Sequence, residues 1–130
     1  MKIFIGQAVT GEDLSKLRKE MEKIYTTLGE HKYYCTLQED EEEFQKKTKK
    51  EMLEHVFEEI DKADAFLAIV RSERRSECML IEIGYVLSKG KRLIIAVKKE
   101  VKNTYLRDLT DEVIDFEDTD DLIEQLKNLK

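Results

Sequence analysis

One carboxylate interrupts an otherwise apolar stretch of the chain, MLIEIGYVL at positions 79–87. Moving an ionised carboxylate out of water is unfavourable by several kcal/mol unless the group is paired or hydrogen-bonded. Glu82 therefore either bonds a structural partner, such as a tyrosine, a backbone amide or an arginine, or faces a pocket in which it acts as a nucleophile or base. Two hydroxyl residues accompany it: Ser76 lies six positions earlier, and Tyr85 lies three positions later on the same face of a helix.

A cluster of arginines precedes Ser76. Arg71, Arg74 and Arg75 fall in the polar segment between an apolar run and the helix that contains Glu82. Guanidinium groups beside a helix N-terminus suit a phosphate, because the guanidinium forks and the free backbone amides offer donors to the same anion. The alternative is a solvated loop whose arginines pair with the acidic residues between and after them. The sequence leaves both interpretations open.

Composition excludes several classes of function. The chain has 130 residues, of which 41% are hydrophobic and 40% charged, and its net charge of −6 argues against a general binder of nucleic acid or anionic membranes. No apolar run approaches the roughly 20 residues of a membrane span, and the apolar start at 1–6 is too short for a signal peptide. The two cysteines form no metal-ligand or redox motif, and no cluster of histidines and acids has metal-ligand spacing. We therefore expect a cytoplasmic protein that binds no nucleic acid, no membrane and no cofactor.

Hydrophobic periodicity predicts alternating strands and helices. The first helix is predicted to begin with Thr10 as N-cap and to end at Gly29. The acidic run 39–43 is predicted to begin the second helix, because negative charge is favourable at a helix N-terminus. The third helix is predicted to span 76–88 and to end at Gly90. The predicted strands are 3–6, 33–37, 65–70, 93–97 and 113–116, and a last helix carries Leu122, Ile123, Leu126 and Leu129.

This alternation predicts one α/β domain over residues 1–130. Strands joined through helices run parallel with right-handed crossovers, and a flavodoxin-like three-layer sandwich with a five-stranded parallel sheet of order 2-1-3-4-5 is the natural closure. In such a sheet the ligand crevice lies at the carboxyl ends of strands 1 and 3, where the strand order reverses. The topology therefore brings segment 6–11 beside segment 71–77, from which the helix that contains Glu82 begins.

Residues 64–97 resemble a known family. The segment DAFLAIV at 64–70, a polar loop, Ser76, the segment EIGY at 82–85 and Gly90-Lys91 look like the corresponding stretch of the nucleoside 2-deoxyribosyltransferase-like family. That family includes the deoxynucleoside 5′-monophosphate N-glycosidases. The order of predicted elements is similar over the whole chain.

The resemblance implies a site and a reaction. Glu82 corresponds to the nucleophile of the family, Ser76 to a residue that contacts the substrate, and the loop after the first strand to one that holds sugar or phosphate. The implied reaction is cleavage or transfer at the N-glycosidic bond of a (deoxy)nucleoside or its 5′-monophosphate through a covalent glycosyl-Glu intermediate, as in retaining glycosidases. Together with the arginine segment, this favours a nucleotide as the ligand, and the family implies a homodimer or larger homo-oligomer. The substrate-binding residues expected on these grounds are Gly6, Gln7, Ala8, Val9, Arg71 and Ser76.

Two positions differ from the family pattern. A tyrosine that often precedes the first-strand glycine by three residues is replaced by Ile3, and an aspartate that takes part in proton transfer to the base is replaced by Val56, next to His55. A non-catalytic nucleotide-binding or sensing module on the same fold is therefore the alternative function. A phosphoreceiver domain shares the strand order, but it needs an acidic pair after strand 1 and an aspartate at the end of strand 3. The chain has Gly6-Gln7 and Val70-Arg71 at those places.

Overall fold

The computed structural model describes residues 1–7, 12–28 and 46–129, and describes residues 32–35 for their backbone alone. Within these ranges the strands are β1 (Lys2–Gln7), β2 (Lys32–Cys35), β3 (Ala65–Val70), β4 (Arg92–Lys98) and β5 (Glu112–Phe116). The helices are α1 (Leu14–Thr27), α2 (Lys49–Lys62), α3 (Glu77–Ser88) and α4 (Thr119–Leu126), and a 3₁₀ helix spans Leu106–Leu109.

The strands form one parallel sheet in the order β2-β1-β3-β4-β5. β2 forms one edge, so the four strands whose side chains are described lie next to one another. Gln7 at the end of β1 is level with Ile69 of β3, and Val70 is level with Val97 of β4. The carboxyl ends of β1, β3 and β4 therefore lie side by side, at what is called here the carboxyl edge of the sheet. The predicted α/β fold with a parallel sheet is confirmed, and this strand order is the one expected of a flavodoxin-like sheet.

Helices cover both faces of the sheet, as continuous apolar strands require. α2, α3 and the 3₁₀ helix pack on one face, and α1 and α4 pack on the other. Alternate residues of a strand enter different cores. In β1, Phe4 faces α2 and α3, whereas Ile3 and Ile5 face α1 and α4. The core on the α3 face includes Phe4, Val56, Ile60, Phe66, Ala68, Met79, Ile83, Val86 and Ile95.

α1 begins later than the sequence prediction placed it. Asp13 is its N-cap, and the Asp13 carboxylate accepts hydrogen bonds from the backbone N–H groups of residues 15 and 16. Aspartate and threonine both cap helices, but a carboxylate also interacts favourably with the helix dipole, which favours Asp13 over Thr10. Thr10 itself lies outside the described residues. The apolar residues Leu14, Leu17, Met21 and Ile24 fall at helical spacing, which predicts one buried face. Leu17, Met21 and Ile24 are buried, but Leu14 is exposed at the first helical position.

The start of α2 also differs from the prediction. The second helix carries the buried residues Val56 and Ile60 and begins at Lys49, after the N-cap Thr48. The Thr48 hydroxyl accepts a hydrogen bond from the Glu51 N–H, and the Glu51 carboxylate accepts one from the Thr48 N–H. This capping box satisfies two donors at once, so it defines the N-terminus of α2. The acidic run 39–43, where the start was predicted, lies outside the described residues.

α3 follows the prediction closely. It begins after Ser76, as expected, and ends at Ser88. Gly90, which follows the C-cap Lys89, has a left-handed backbone conformation with φ of +64°. Glycine adopts this conformation without steric penalty, which explains its place two residues after the helix.

Candidate active site

Glu82 lies on the buried face of α3. Met79 and Val86, about one turn before and after it, are buried against the sheet, and Glu82 itself is only 6% exposed. α3 contacts β1, β3 and β4, the strands whose carboxyl ends meet at one edge. Because α3 follows from the end of β3, its first turns lie near that edge. Glu82 comes six positions after Ser76, which places the Glu82 Cα atom about 9 Å along the helix axis from the Ser76 Cα atom.

Burial changes the chemistry of the Glu82 carboxylate. Among the described residues, no hydrogen-bond donor or cation compensates its charge, and desolvation by burial raises the pKa of Glu82 to about 7. At neutral pH the ionised and protonated forms are therefore present in comparable amounts. An ionised carboxylate in an apolar setting can act as a nucleophile, and a protonated one can act as a general acid. The described part of the chain thus supplies no structural partner for this acid.

Tyr85 bonds to α2 and not to Glu82. Its hydroxyl donates to Asp61 Oδ1 at 2.8 Å, and its ring stacks on Phe57 with the ring centroids 4.1 Å apart. The hydrogen bond to the Asp61 carboxylate raises the pKa of Tyr85. The hydroxyl therefore joins α3 to the end of α2. A tyrosine was one of the structural partners that the sequence left open for Glu82, and the Tyr85 hydroxyl bonds Asp61 instead.

Ser76 caps the helix that contains Glu82. Its Oγ accepts a hydrogen bond from the Met79 N–H at 3.3 Å, which satisfies one of the free donors of the first turn. The hydroxyl proton is not used in this bond, so it can be donated to a ligand at the crevice. The contact of Ser76 with substrate stays a prediction.

Arg71 ties two strands and a helix together at the crevice. Its Nη1 donates to Gln7 Oε1 at 2.6 Å, and its Nε donates to Glu20 Oε2 at 3.1 Å. The side chains of Arg71 and Glu20 are only 14% and 15% exposed, so this ion pair is largely shielded from water. Arg71 therefore pairs with Glu20 of α1, an acid outside the loop, whereas the alternative that the sequence left open was pairing with acids of the loop itself. Sequence reasoning missed Glu20, because no local pattern links two residues 51 positions apart.

Close packing explains Gly6. A Cβ at this position would lie 2.5 Å from Cζ of Phe66 on β3, a distance that real Cβ atoms do not show. Phe66 in turn stacks on Phe4, with the ring centroids 5.6 Å apart. Gly6 is thus required by the ring beside it. Ala8 and Val9, the next two predicted substrate contacts, lie outside the described residues.

A small cavity lies between the loop after β3 and the loop after β4. Its volume is about 60 Å³, with Ser76 and Leu80 on one side and Tyr105 on the other. Glu73 holds the two loops together, because one of its carboxylate oxygens accepts hydrogen bonds from the backbone N–H groups of residues 102 and 103, each at 3.3 Å. Ligand pockets usually measure roughly 300–1,000 Å³. This cavity therefore has room for a small group only, and the buried carboxylate of α3 is not part of its lining.

A larger groove of about 500 Å³ lies on the opposite face, between α1 and α4. Arg71 contributes to its inner end, and Leu17 and Phe116 supply apolar surface. Apart from Thr119, the remaining lining residues carry charges of both signs, so the groove favours neither anions nor cations. They are Glu12, Asp13, Lys16, Lys19, Glu20, Lys23, Lys98, Asp118, Thr119 and Asp120.

The two departures from the family pattern differ in their structural meaning. Ile3 is fully buried on the face covered by α1 and α4, so its side chain points away from α3. A tyrosine at this position would not reach Glu82, and the residue of β1 that faces α3 is Phe4. Val56 lies in the core shared by α2 and α3, on the same side of the sheet as Glu82. Of these two positions, only Val56 therefore lies on the side of the sheet that carries Glu82.

Neither a metal centre nor a membrane-spanning helix is found in the described ranges. No group of three or more His, Cys, Asp or Glu residues is placed to hold a metal ion there. No helix in the same ranges is both long and apolar enough to cross a membrane.

Comparison by sequence finds no matching family model and no matching curated protein. Comparison by structure finds similar folds over almost the whole chain. The CMP N-glycosidase BcmB of Clostridium botulinum has a TM-score of 0.72 at 18% identity, covering 97% of this chain and 98% of its own. A conserved protein of Enterococcus faecalis V583 has a TM-score of 0.68 at 14% identity, covering 98% and 97%. The 2-deoxyribosyltransferase of Bacillus psychrosaccharolyticus has a TM-score of 0.64 at 17% identity, covering 100% and 93%.

These similarities establish the fold. Two of the three proteins are an N-glycosidase and a deoxyribosyltransferase, the activities of the family that residues 64–97 resemble. The fold expected from that resemblance is confirmed.

Proposed function

We propose that this protein is an enzyme that cleaves or transfers the N-glycosidic bond of a (deoxy)nucleoside or its 5′-monophosphate, with Glu82 as nucleophile. The observation that carries the proposal is the Glu82 carboxylate, 6% exposed, near the carboxyl edge of the sheet and uncompensated by any described residue. Natural proteins rarely retain such a group without a chemical use for it. Structural similarity to an N-glycosidase that acts on CMP and to a 2-deoxyribosyltransferase supports the class of reaction.

The reaction proceeds in two balanced steps. An ionised Glu82 oxygen bonds to C1′ of the sugar while the C1′–N bond breaks, and the electron pair of that bond leaves with the base, which takes a proton from the solvent. Water attacks C1′ of the resulting glycosyl ester and gives up a proton to the solvent, which releases the sugar and restores the carboxylate. In a transfer, a nitrogen of a second base attacks C1′ instead and gives up its proton. The carboxylate also stabilises the positive charge that develops on the sugar in the transition state.

The proposal assigns substrate binding to the residues at the crevice. The ion pair with Glu20 and the hydrogen bond to Gln7 hold the Arg71 guanidinium in place, so a phosphate that binds there meets a preorganised cation. Ser76 offers a hydroxyl at the start of α3. The proposed substrate contacts are Gly6, Gln7, Ala8, Val9, Arg71 and Ser76.

Release of free base from a panel of nucleosides and deoxynucleoside 5′-monophosphates tests the proposal. Chromatography of the reaction mixtures measures the base, and a second base added to parallel reactions separates transfer from hydrolysis. Glu82→Gln is expected to lower kcat about 10³-fold or more, because it removes the nucleophile while keeping the shape of the side chain. Glu58→Gln is the matched control, since Glu58 is exposed on α2. No base release from any substrate, or equal release by the Glu82 variant, contradicts the proposal.

The covalent step has its own readout. With a 2′-fluorinated deoxynucleotide, whose electron-poor sugar slows the second step, mass spectrometry of the intact protein is expected to show the added mass of one glycosyl group. Peptide mapping is expected to place this mass on Glu82. The Glu82→Gln variant should remain unmodified under the same conditions, and modification of another residue would transfer the role of nucleophile to it.

The dependence of the rate on pH follows from the environment of Glu82. The nucleophile must be ionised, and burial raises its pKa to about 7. The rate kcat/KM is therefore expected to rise about tenfold for each pH unit below 7 and to level off above it. A rate that is constant from pH 5 to pH 8 would show that the buried carboxylate is not the group that reacts.

A non-catalytic nucleotide-binding module is the second candidate function. Val56 favours it, because this position lies on the Glu82 side of the sheet and carries no proton donor. Isothermal titration calorimetry with nucleoside monophosphates separates the two candidates. Saturable binding without base release over a long incubation supports the module, whereas base release supports the enzyme.

A further inference from the structure

The described surroundings of Glu82 contain no second acid that could protonate a departing base. Within the described ranges, Gln7 and Glu82 are the polar residues that are buried, and the amide of Gln7 does not release a proton. Val56 of α2 enters the core on the Glu82 side of the sheet with an apolar side chain. A general acid at this place would assist the departure of the base. The proposed reaction lacks that assistance from the described part of α2.

The titratable neighbours of Val56 on α2 are turned away from this core. His55, one residue earlier, lies about 100° from Val56 around the helix axis. Glu59, three residues later, forms an ion pair with Lys2 at 3.5 Å, and Lys2 begins β1 at the edge of the sheet opposite the carboxyl edge. Neither side chain therefore takes the place of the missing acid.

The hydrogen-bond donors of the crevice hold their protons at neutral pH. Ser76 offers an aliphatic hydroxyl and Arg71 a guanidinium, and both groups donate hydrogen bonds without ionising. The Glu73 carboxylate is engaged as the acceptor of two backbone N–H groups. Glu82 must itself be ionised to attack, so it cannot hold a proton for the base in the same step. The described site thus supplies a nucleophile without a general acid.

Without an acid, the charge of the base decides how easily it departs. When the C1′–N bond breaks, its electron pair stays with the nitrogen, so a neutral base leaves as an anion unless it takes up a proton. A base that already carries a positive charge leaves as a neutral molecule. General acid catalysis contributes about 10²- to 10⁴-fold, so its absence slows the departure of a neutral base by this factor and leaves that of a charged base unchanged.

The burial of Glu82 favours the same class of base. Attack on a nucleotide with a positively charged base converts the carboxylate anion and the ring cation into a neutral ester and a neutral base. Apolar surroundings disfavour charged groups, so they favour a step in which two opposite charges disappear. The bound ring also provides the counter-charge that no described residue provides for Glu82.

The crevice carries charges of both signs. Arg71, Arg74 and Arg75 lie in the segment before α3, and the last two are exposed. These cations suit a 5′-phosphate, whereas the Glu82 carboxylate suits a positively charged ring. Resting on the proposed reaction at Glu82, we infer that the preferred substrates are nucleoside 5′-monophosphates whose base carries a fixed positive charge, as N-alkylated purines and pyridinium bases do.

The reaction of 7-methylguanosine 5′-monophosphate illustrates the balance. A Glu82 oxygen bonds to C1′ while the C1′–N9 bond breaks. The electron pair of that bond neutralises the positive charge of the ring, and neutral 7-methylguanine leaves without taking a proton. Water then attacks C1′ of the glycosyl ester and gives up a proton to the solvent, which restores the carboxylate.

A comparison of charged and neutral nucleotides tests the inference. 7-Methylguanosine 5′-monophosphate and GMP differ by one methyl group and one charge, and nicotinamide mononucleotide represents the pyridinium bases. The two guanine nucleotides are used in ribo and 2′-deoxy forms, and chromatography measures the released base after subtraction of spontaneous loss. For at least one charged nucleotide, kcat/KM is expected to exceed that of GMP by about a hundredfold or more. The faster of the two charged nucleotides identifies the ring that the site accepts.

The failures of the two proposals are distinguishable. Release of base from GMP at a rate comparable to that from both charged nucleotides overturns the inference and leaves the proposed reaction standing. No release from any of these nucleotides overturns both.

Two variants at position 56 test the physical cause. Val56→Asp supplies an acid and is expected to raise kcat/KM for GMP about tenfold or more, while that for 7-methylguanosine 5′-monophosphate changes less than about twofold. Val56→Asn is the matched control, because it is polar and of the same shape but releases no proton. Equal gains in the two variants, or equal gains for the two nucleotides, overturn the inference. Circular dichroism checks folding, and the wild-type comparison decides the inference if neither variant folds.

Discussion

Two glutamates on opposite faces of the sheet occupy contrasting environments. Glu20 on α1 is 15% exposed and bonds Arg71 at 3.1 Å, whereas Glu82 on α3 is buried and uncompensated by any described residue. Burial raises the pKa of Glu82 to about 7. Both acids are shielded from water, so depth alone does not distinguish them. The presence of a partner distinguishes them. A paired carboxylate joins two structural elements, whereas an uncompensated one has a raised pKa and can exchange a proton or react near neutral pH.

The largest effect is expected from removing the charge of Glu82. In the folded protein its pKa is raised from 4.5 to about 7, so the folded state binds the proton more tightly than the unfolded state. The contribution of this group to the free energy of unfolding is therefore most favourable below pH 4.5. The free energy of unfolding of the wild-type protein falls by up to about 3 kcal/mol as the pH rises through 7. Glu82→Gln should remove this loss and be more stable than the wild type at pH 8.

Urea unfolding at pH 5 and pH 8 measures the free energy of unfolding in both proteins. The control is Glu58→Gln, which should retain the wild-type dependence on pH. If Glu82→Gln destabilises the protein equally at both pH values, the carboxylate has a compensating partner and the contrast with Glu20 disappears.

The second largest effect is expected from removing the cation that pairs with Glu20, which leaves Glu20 uncompensated like Glu82. Arg71→Met keeps much of the apolar length of the side chain but leaves the Glu20 carboxylate, largely shielded from water, without its cation. We expect a loss of about 2 kcal/mol in the free energy of unfolding at pH 7, because removing one member of a shielded pair leaves the other uncompensated. Lys127→Met is the control: it breaks an exposed pair with Glu124 and should change stability by less than about 1 kcal/mol. Equal losses in the two variants would show that the Arg71 pair is no more important than a surface pair.

Several elements were predictable because their signals are local. α3 was predicted to within one residue, since a capping serine precedes its apolar run and a glycine in the left-handed region follows it. The start of α2 could also have been found, because Thr48 and Glu51 have the spacing of a capping box. The start of α1 is harder, because Thr10 and Asp13 are both capping types and only the local geometry decides between them.

The environment of the candidate site was only partly predictable. Topology places the ends of β1 and β3 together, and the structure bears this out through the Gln7–Arg71 hydrogen bond. The pairing of Arg71 with Glu20 and of Tyr85 with Asp61 joins residues on different helices and strands, so no spacing rule contains them. Whether a buried acid has a partner depends on such long-range contacts, which explains why the sequence left two interpretations of Glu82 open.

A smaller effect is expected at Ser76, which begins the helix that contains Glu82. Ser76→Ala should lower the free energy of unfolding by about 1 kcal/mol through loss of the N-cap, and Ser76→Asp should restore it. If the hydroxyl also donates to substrate, KM for a nucleotide rises in both variants, because aspartate accepts but does not donate. An unchanged KM in Ser76→Ala would confine this residue to capping. Kinetics and urea unfolding on the same preparations separate the two roles.

The smallest effect comes from bringing a cation near Glu82. Cys78 is exposed and lies four residues before Glu82, so the side chains are neighbours along the helix. Cys78→Lys should favour the ionised carboxylate by about 0.5 kcal/mol and move the midpoint of the pH dependence downward by about 0.4 pH unit. Cys78→Met, of similar length but neutral, should leave the midpoint unchanged. A midpoint that follows the charge at position 78 shows that a nearby cation offsets part of the rise in the pKa of Glu82 that burial causes. An immobile midpoint would place the carboxylate beyond the reach of position 78.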